Sequence, residues 1–476
     1  MTMTTLDGVD VVVHDAAAAQ PAAARASRDE RARWLRAVAD GLDAARDELV
    51  AVAMRETHLP QPRLEGEVAR TTGQLRLFAD VILEGSFLEA IIDHADPTAA
   101  PPRPDLRRWL VPVGTVAVYA ASNFPFAFSV AGGDTASALA AGCSVVVKAH
   151  PGHEVTSRRT AEVVSGALRA ASAPDGVFGL VEGFDAGVAL VEHPAVDAGA
   201  FTGSLRGGRA LADRAAARPR PIPFYGELGS LNPVVVTHAA DARRGSELAA
   251  GFAGSFTLGV GQFCTKPGIV FVPTGSRLAE ALPDAVGREA MPMLTEGIAS
   301  GYTAGTARLG AVEGVSALVE PAGPGGPGVF RVSAEGFVAS HEVLTEEVFG
   351  PATLLVTYDD ERALHVALAV LPGSLTATIH SEDDDDRGAL VGVLSAKAGR
   401  VLFSGWPTGV AVTWSQHHGG PWPATNTQHT SVGATAVRRF LRPLAYQDAP
   451  PDVLPAELRD DSTVPRRVDG VLVPGR

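Results

Sequence analysis

Cys264 lies in the run Gly259-Val-Gly-Gln-Phe-Cys-Thr-Lys-Pro-Gly268, where glycines on both sides leave room for other groups to reach the sulfur. Some 37 residues earlier, Phe224-Tyr-Gly-Glu-Leu-Gly229 carries Glu227 in an otherwise apolar, glycine-bearing stretch. A thiol and a carboxylate of this kind serve as nucleophile and general base when a fold brings them together. Each alone has an ordinary reading: a lone cysteine is most often a small buried hydrophobe, and a lone glutamate is most often solvated. Asn123 follows the apolar run Gly114–Ala120, which reads as a buried strand. Working groups of α/β proteins sit at such carboxyl ends, although a turn cap is the ordinary role of Asn there. Lys148 closes the β-branched run Ser144–Val147 in the same way.

The elements that must position these groups alternate between helix and strand. Residues 16–57 carry helical spacing through Trp34, Leu35, Val38, Leu42, Leu49 and Val52, with Ser27-Arg-Asp-Glu30 as a capping box. A second helical stretch over Leu64–Leu83 bears Arg63, Glu65, Glu67, Arg70, Gln74 and Arg76 on and beside it, most of them expected on a solvated face. Strands are expected at Trp109–Val113, Val177–Val181, Val234–Thr237 and Ile269–Pro273, and helices at Ala131–Gly142, Val155–Ala171 and Ala239–Phe256. This alternation is that of an α/β protein.

The 476 residues suffice for about three domain-sized units. With 40 basic and 54 acidic residues the net charge is −14, which argues against nucleic-acid binding. Two cysteines, Cys143 and Cys264, imply no disulfide framework and suit a reducing compartment. Met1–Gln20 lacks the charged and apolar regions of a secretory signal, and no apolar run is long enough to span a membrane, so a cytoplasmic location is expected. His341-Glu342 and His153-Glu154 each lack the second histidine of a zinc motif, and no metal site is expected. The dinucleotide fingerprint G-x-G-x-x-G is missing, as is a G-x-S-x-G elbow.

Several segments, taken in order, resemble the aldehyde dehydrogenase superfamily: Ala121-Ser-Asn-Phe-Pro125, Val145-Val-Val-Lys148, Phe201-Thr-Gly-Ser204, Glu227-Leu-Gly229 with Asn232-Pro233, Gly261-Gln-Phe-Cys-Thr265 and Glu346-Glu-Val-Phe-Gly-Pro351. The resemblance runs from about residue 20 to residue 455. Gly419-Gly-Pro-Trp-Pro-Ala424, Thr430-Ser-Val-Gly433 and Arg438–Asp448 are similar to the α-ketoglutaric semialdehyde (2,5-dioxopentanoate) dehydrogenase branch, which includes NADP-dependent aldehyde dehydrogenases. Ser230 and Leu231 depart from the family pattern Glu-Leu-Gly-Gly-Lys-Asn-Pro.

The resemblance implies a Rossmann-type cofactor domain (1–88 and 111–227), an α/β catalytic domain (228–428), a β oligomerisation arm (89–110 and 429–455) and a loosely held tail (456–476). It implies oxidation of an aldehyde to a free acid through a Cys264 thioester, with Glu227 as the base. Asn123 and the Cys264 N–H would form an oxyanion hole. Lys148 and His150, then Gly203 and Ser204, would hold the adenosine and pyrophosphate; Glu347 and Phe349 would hold the nicotinamide side. NAD-preferring members carry an acid three positions after the lysine. Pro151 stands there, which implies that NADP is preferred, with NAD as the alternative. Phe124, Phe128 and Phe263 should line the substrate tunnel. Arg70 either pairs with the distal carboxylate of 2,5-dioxopentanoate or makes a surface ion pair. A medium- or long-chain fatty aldehyde is the alternative substrate, and a homodimer or homotetramer the expected assembly.

Overall fold

The structure is a computed structural model that describes residues 3–475. Its first sheet has five parallel strands in the order Phe178–Val181, Val145–Lys148, Val116–Tyr119, Ala198–Thr202, Phe224–Glu227. Helices cover both faces, which is why these strands read as short Val- and Ala-rich runs rather than as alternating ones. Register matters here. Tyr119 lies opposite both Lys148 and Phe201, and Thr202 lies opposite Glu227. The segments carrying Asn123, Lys148, Gly203 and Glu227 therefore all leave the sheet along one edge.

The second sheet has seven strands in the order Ser316–Val319, Gly328–Ser333, Ala352–Tyr358, Ile269–Pro273, Val234–Val236, Ser374–His380, Ala398–Phe403. All neighbours in it run parallel except the first pair. Its apolar strands are packed between two clusters, one around Phe271 and Phe337 and the other around Phe252 and Phe256. The third sheet has the order Leu441–Gln447, Leu106–Pro112, Ala90–Asp93, Arg466–Val468, Val471–Val473.

That last sheet corrects the reading of residues 456–476 as a loose tail. Arg466–Val468 pairs in parallel with Ala90–Ile92, and Val471–Val473 folds back on it as a hairpin. Leu458 and Val464 are buried. The charges that made the segment look solvated have partners: His94 Nδ1 lies 2.7 Å from Asp469, and Arg107 lies 2.7 Å from Asp460.

The N-terminal helical stretch is longer than expected and divided in three: Leu6–Arg25, Arg28–Ala44 and Arg46–Thr57. The first break falls at Ser27, whose capping box with Glu30 is formed as the sequence predicts. The strand Ile269–Pro273 has the expected bounds. Among the described residues no helix is long and apolar enough to cross a membrane.

Candidate active site

The Cys264 loop follows the helix His238–Thr257. Gly259, Val260 and Gly261 all adopt left-handed backbone, with φ of 56°, 59° and 63°. Gly261 has no alternative, since a Cβ there would lie 2.3 Å from the Gly350 carbonyl carbon. Val260 in that region is strained, and strain of this kind is sustained only where surrounding contacts over-determine the backbone. The Gln262 N–H closes the turn over Val260 by donating to the Gly259 carbonyl at 3.2 Å, and Asn232 pins the loop beyond it. Its buried amide donates to the Cys264 and Lys266 carbonyls, both at 2.9 Å. Asn232 Oδ1 in turn accepts from Ser230 Oγ at 2.8 Å and from Thr376 N and Oγ1. Ser230, which departs from the family pattern, thus helps to hold the loop. Lys266 Nζ donates to the Val348 and Ala352 carbonyls at 2.9 and 2.8 Å.

Cys264 is partly exposed, and its Sγ lies 3.5 Å from His418 Nε2. The same nitrogen is 2.9 Å from Glu227 Oε1, while Ser431 Oγ donates to Glu227 Oε2 at 2.5 Å. Burial pushes the Cys264 thiol well above its ordinary value, Glu227 adds to this, and Arg70 opposes it. Burial also pulls the Glu227 carboxyl upward, but the charge of the His418 ring and the hydrogen bonds from His418 and Ser431 outweigh it, leaving the carboxyl below its ordinary value. Cys143 differs: fully buried and donating to the Phe440 carbonyl, it is pushed up to about 12 by burial and takes a packing role. Asn123 is buried beside the thiol loop. Its side-chain amide donates one N–H to the Gln262 carbonyl at 3.0 Å, leaving the second for a ligand.

Three aromatic rings stand next to these groups. Phe124 lies 5.2 Å from Phe128 and 5.4 Å from Phe263, ring centre to ring centre. Two guanidinium groups from the helix Gln61–Glu84 cover them. Arg63 stacks over Phe124 and Phe263 at 4.7 and 4.5 Å, and Arg70 over Phe124 and Phe128 at 5.7 and 5.1 Å. Glu67 Oε1 accepts from the Phe126 and Ala127 N–H groups, and its other oxygen lies 3.8 Å from Arg63. Arg63 also donates to the Asn123 carbonyl at 3.0 Å. Arg70 makes no ion pair with a described residue, and its buried Nε has no partner. Burial lowers the Arg70 pKa while Glu67, Cys264 and Glu227 oppose the shift. The expectation that this helix turns its charges to solvent is therefore corrected. Arg63, Glu67, Arg70 and Gln74 recur at helical spacing and share the inward face, whereas Arg76 pairs outward with Asp40 and Asp43.

The cofactor candidates lie along the carboxyl edge of the five-stranded sheet and across from it. The Lys148 ammonium makes no hydrogen bond to a described residue; burial lowers its pKa and Glu154 opposes. Burial drives His150 down to about 3, so it stays neutral, with Nδ1 accepting from Gly152 N. It can offer a 2′-phosphate a hydrogen bond rather than a charge. Ser204 caps the helix Leu205–Ala217, whose first turn contains no acid. Gly203 has no room for a side chain, since a Cβ would lie 2.7 Å from the Phe201 ring. Glu347 and Phe349 are partly buried on the loop that Lys266 holds. Burial raises the Glu347 carboxyl against the pull of Lys266.

Among the described residues, two clusters each bring three metal-ligand atoms within 4.8 Å of one another. In Glu227–Cys264–His418 the groups hydrogen-bond each other and face the Arg70 cation. In Asp10–His14–His193, His193 Nδ1 accepts from Ala195 N, which puts the proton on the nitrogen a metal would need.

The aldehyde dehydrogenase family profile matches residues 1–290. Alpha-ketoglutaric semialdehyde dehydrogenase 2 of Azospirillum brasilense is 48% identical over 473 residues, covering 96% of this chain and 89% of its own. The chain belongs to the aldehyde dehydrogenase family. Alpha-ketoglutaric semialdehyde dehydrogenase of Acinetobacter baylyi is 42% identical, covering 99% of this chain and 92% of its own. Among solved structures, the NAD-dependent aldehyde dehydrogenase of Sinorhizobium meliloti superposes with a TM-score of 0.77 at 26% identity, covering 94% of this chain and 87% of that one. Proline utilization A of Bradyrhizobium japonicum has a TM-score of 0.79 at 23% identity over 94% of this chain. It is a longer protein of which the chain spans 45%, and that likeness concerns the fold alone.

Of the residues expected at the site, Cys264, Glu227, Asn123, Phe124, Phe128, Phe263 and Arg70 gather around the thiol loop, whereas Lys148, His150, Gly203 and Ser204 line the neighbouring sheet edge. The sequence did not lead to His418, Ser431, Arg63, Lys266 or Asn232 as parts of this arrangement. Their signals were faint: a His417-His418 doublet before two glycines, and a serine and an Asn-Pro pair quoted without a role.

Proposed function

We propose that this family member oxidises 2,5-dioxopentanoate to 2-oxoglutarate, with NADP preferred over NAD, and releases the free acid. The observation that carries it is the meeting of a thiol, a carboxylate and an amide beside an unpaired cation. The curated names of the relatives support the substrate, and Arg70 supports the carboxylate end of it. A guanidinium that stacks on two rings and lacks a counter-ion suits an anion bound between Phe124 and Phe128.

Cys264, as the thiolate, forms the S–C bond to the aldehyde carbon while the carbonyl π pair moves onto oxygen. The free N–H of Asn123 and the Cys264 backbone N–H receive the developing oxyanion; losing one such donor typically costs about 3–4 kcal/mol of barrier. A bound nicotinamide would supply the acceptor for the substrate carbon's hydride. Glu227 then takes a proton from water, whose oxygen displaces the sulfur. A carboxylate placed for that step favours hydrolysis over transfer to another acceptor. The sheet edge fits a dinucleotide: Lys148 has a free ammonium for the ribose hydroxyls, and the acid-free first turn after Ser204 suits a pyrophosphate. Glu347 and Phe349 would hold the nicotinamide ribose and ring. Pro151 places no carboxylate against a 2′-phosphate.

Two sheet edges, Leu441–Gln447 and Ala398–Phe403, lie at the ends of their sheets and suit pairing in a homodimer or homotetramer. Both cysteines are free, which suits a reducing, cytoplasmic setting.

The test is steady-state kinetics on an aldehyde panel with both cofactors. We expect kcat/KM for 2,5-dioxopentanoate to exceed that for butanal and decanal. An enzyme at least tenfold faster on decanal would refute the substrate, and one at least tenfold faster with NAD would refute the cofactor preference.

A further inference from the structure

We propose that Arg63 and Glu67 are positioning residues for the oxyanion hole: from the helix Gln61–Glu84 they fix the Asn123 amide against the Cys264 backbone N–H. This rests on the aldehyde-oxidation reading above, which assigns those two donors to the developing charge.

Donors of this kind work only when they stand about 2.7–3.1 Å from the place the oxyanion will occupy, and a misplacement of about 1 Å can lower a rate about 100-fold. Here neither donor belongs to a helix or a strand. Asn123 stands in the turn after the strand Val116–Tyr119, and Cys264 in the turn after the left-handed bend Gly259–Gly261. The two turns are tied directly by a hydrogen bond from Asn123 Nδ2 to the Gln262 carbonyl at 3.0 Å. A single bond sets a distance and leaves the turns free to pivot about it.

Arg63 removes that freedom by holding both turns at once. Its Nη2 donates to the Asn123 carbonyl at 3.0 Å. The same guanidinium lies over Phe124, the neighbour of Asn123, and over Phe263, the neighbour of Cys264, at 4.7 and 4.5 Å. On the thiol side it reaches the bend itself. A Cβ on Gly259 would lie 3.1 Å from Arg63 Nη1, so the glycine leaves the guanidinium its seat. Glu67, one turn along the helix, holds the far end of the Asn123 turn, where its Oε1 accepts from the Phe126 and Ala127 N–H groups at 2.8 and 3.0 Å. The near end is held separately, by His153 Nε2 donating to the Ala121 carbonyl at 2.8 Å.

Stability alone does not call for this pair. Glu67 Oε2 has no hydrogen-bond partner among the described residues and stands 3.8 Å from Arg63. An enclosed ion pair with an unsatisfied oxygen is a weak stabiliser, and apolar residues of similar volume commonly serve as well. What apolar residues cannot do is donate to the Asn123 carbonyl or accept from two main-chain N–H groups.

The experiment compares two reactions of the Cys264 thiolate in the full chain, neither of which needs aldehyde or cofactor. With 4-nitrophenyl acetate the sulfur bonds the carbonyl carbon, the C=O pair moves onto oxygen, and it returns as 4-nitrophenolate leaves. With iodoacetamide the sulfur displaces iodide and no oxyanion forms. Both consume thiolate, so the ratio of their rates at one pH cancels changes in thiolate fraction, including those due to the charge of Arg63 near the sulfur. Asn123→Ala sets the scale. We expect Arg63→Met and Glu67→Leu to lower the acylation-to-alkylation ratio about 10- to 100-fold, with the burst of reduced cofactor on 2,5-dioxopentanoate falling in parallel. Glu67→Gln, whose amide oxygen still accepts both N–H groups, should recover most of what Glu67→Leu loses. The double variant Arg63→Met/Glu67→Leu leaves neither charge unpaired and should combine a low ratio with an unchanged melting temperature. If a single variant fails to fold, the double variant decides. A ratio in the folded double variant within about threefold of the unaltered chain overturns the proposal, since a displaced donor costs more than that. An Asn123→Ala ratio that does not fall removes the hole itself and the proposal with it. A Glu67→Gln ratio as low as that of Glu67→Leu overturns the acceptor role of Glu67. Lowered ratios in a chain whose unaltered form oxidises no aldehyde on the panel leave the positioning role standing and refute the functional reading.

Discussion

Arg70→Gln separates a substrate role from a structural one. The guanidinium is largely enclosed, stacked on Phe124 and Phe128 at 5.7 and 5.1 Å, and without an ion-pair partner. Its removal breaks no ion pair in the free protein and forfeits only the stacking on two rings, so the melting temperature should change little. Burying an unpaired cation is unfavourable, and a neutral side chain relieves that cost. Catalysis should respond differently. A charge-assisted hydrogen bond to the distal carboxylate is worth about 1.5–3 kcal/mol, which converts to about a 10- to 150-fold loss in kcat/KM on 2,5-dioxopentanoate. Pentanal has no such carboxylate, so its loss should stay within about threefold, from weaker support of the thiolate. The assay is initial rates of cofactor reduction on both substrates at one pH, reported as the ratio of their kcat/KM values. Equal losses on both would refute the carboxylate role.

Asn123→Ala should lower kcat about 100- to 1,000-fold with a small change in KM, as expected for a donor that acts on the oxyanion; a change in KM alone would contradict it. Pro151→Glu should shift the NADP-to-NAD ratio of kcat/KM at least tenfold toward NAD, because the new carboxylate faces the extra phosphate. Glu227 is held below its ordinary value in the folded chain. The stability it adds is present above the unfolded carboxylate range and is lost as pH falls through the folded value. The melting-temperature gap between the unaltered chain and Glu227→Gln should therefore be full at pH 7 and close on acidification, and a gap that widens in acid would contradict the assignment.

What local chain chemistry encodes was readable. Gly261 sits where no side chain fits, Ser27 and Glu30 form their box, and short β-branched runs became buried strands. What long-range pairing decides was not. Arg63 and Glu67 read as solvated charges because a helix surface shows only spacing. Their inward turn depends on rings and N–H groups supplied by residues 124–128 and 263. His418 and Ser431 lie in an irregular stretch with no periodicity to reveal which way a side chain points. Arg466–Val468 pairs with Ala90–Ile92, hundreds of residues away, a match that no window along the sequence contains.

Lys266 bridges from the segment just after the thiol to the carbonyls of Val348 and Ala352, on either side of Phe349. The segment after the thiol and the Glu347–Phe349 segment are consequently tied together. A shift of the Glu347–Phe349 segment would therefore be transmitted through that one ammonium to the loop that carries the sulfur.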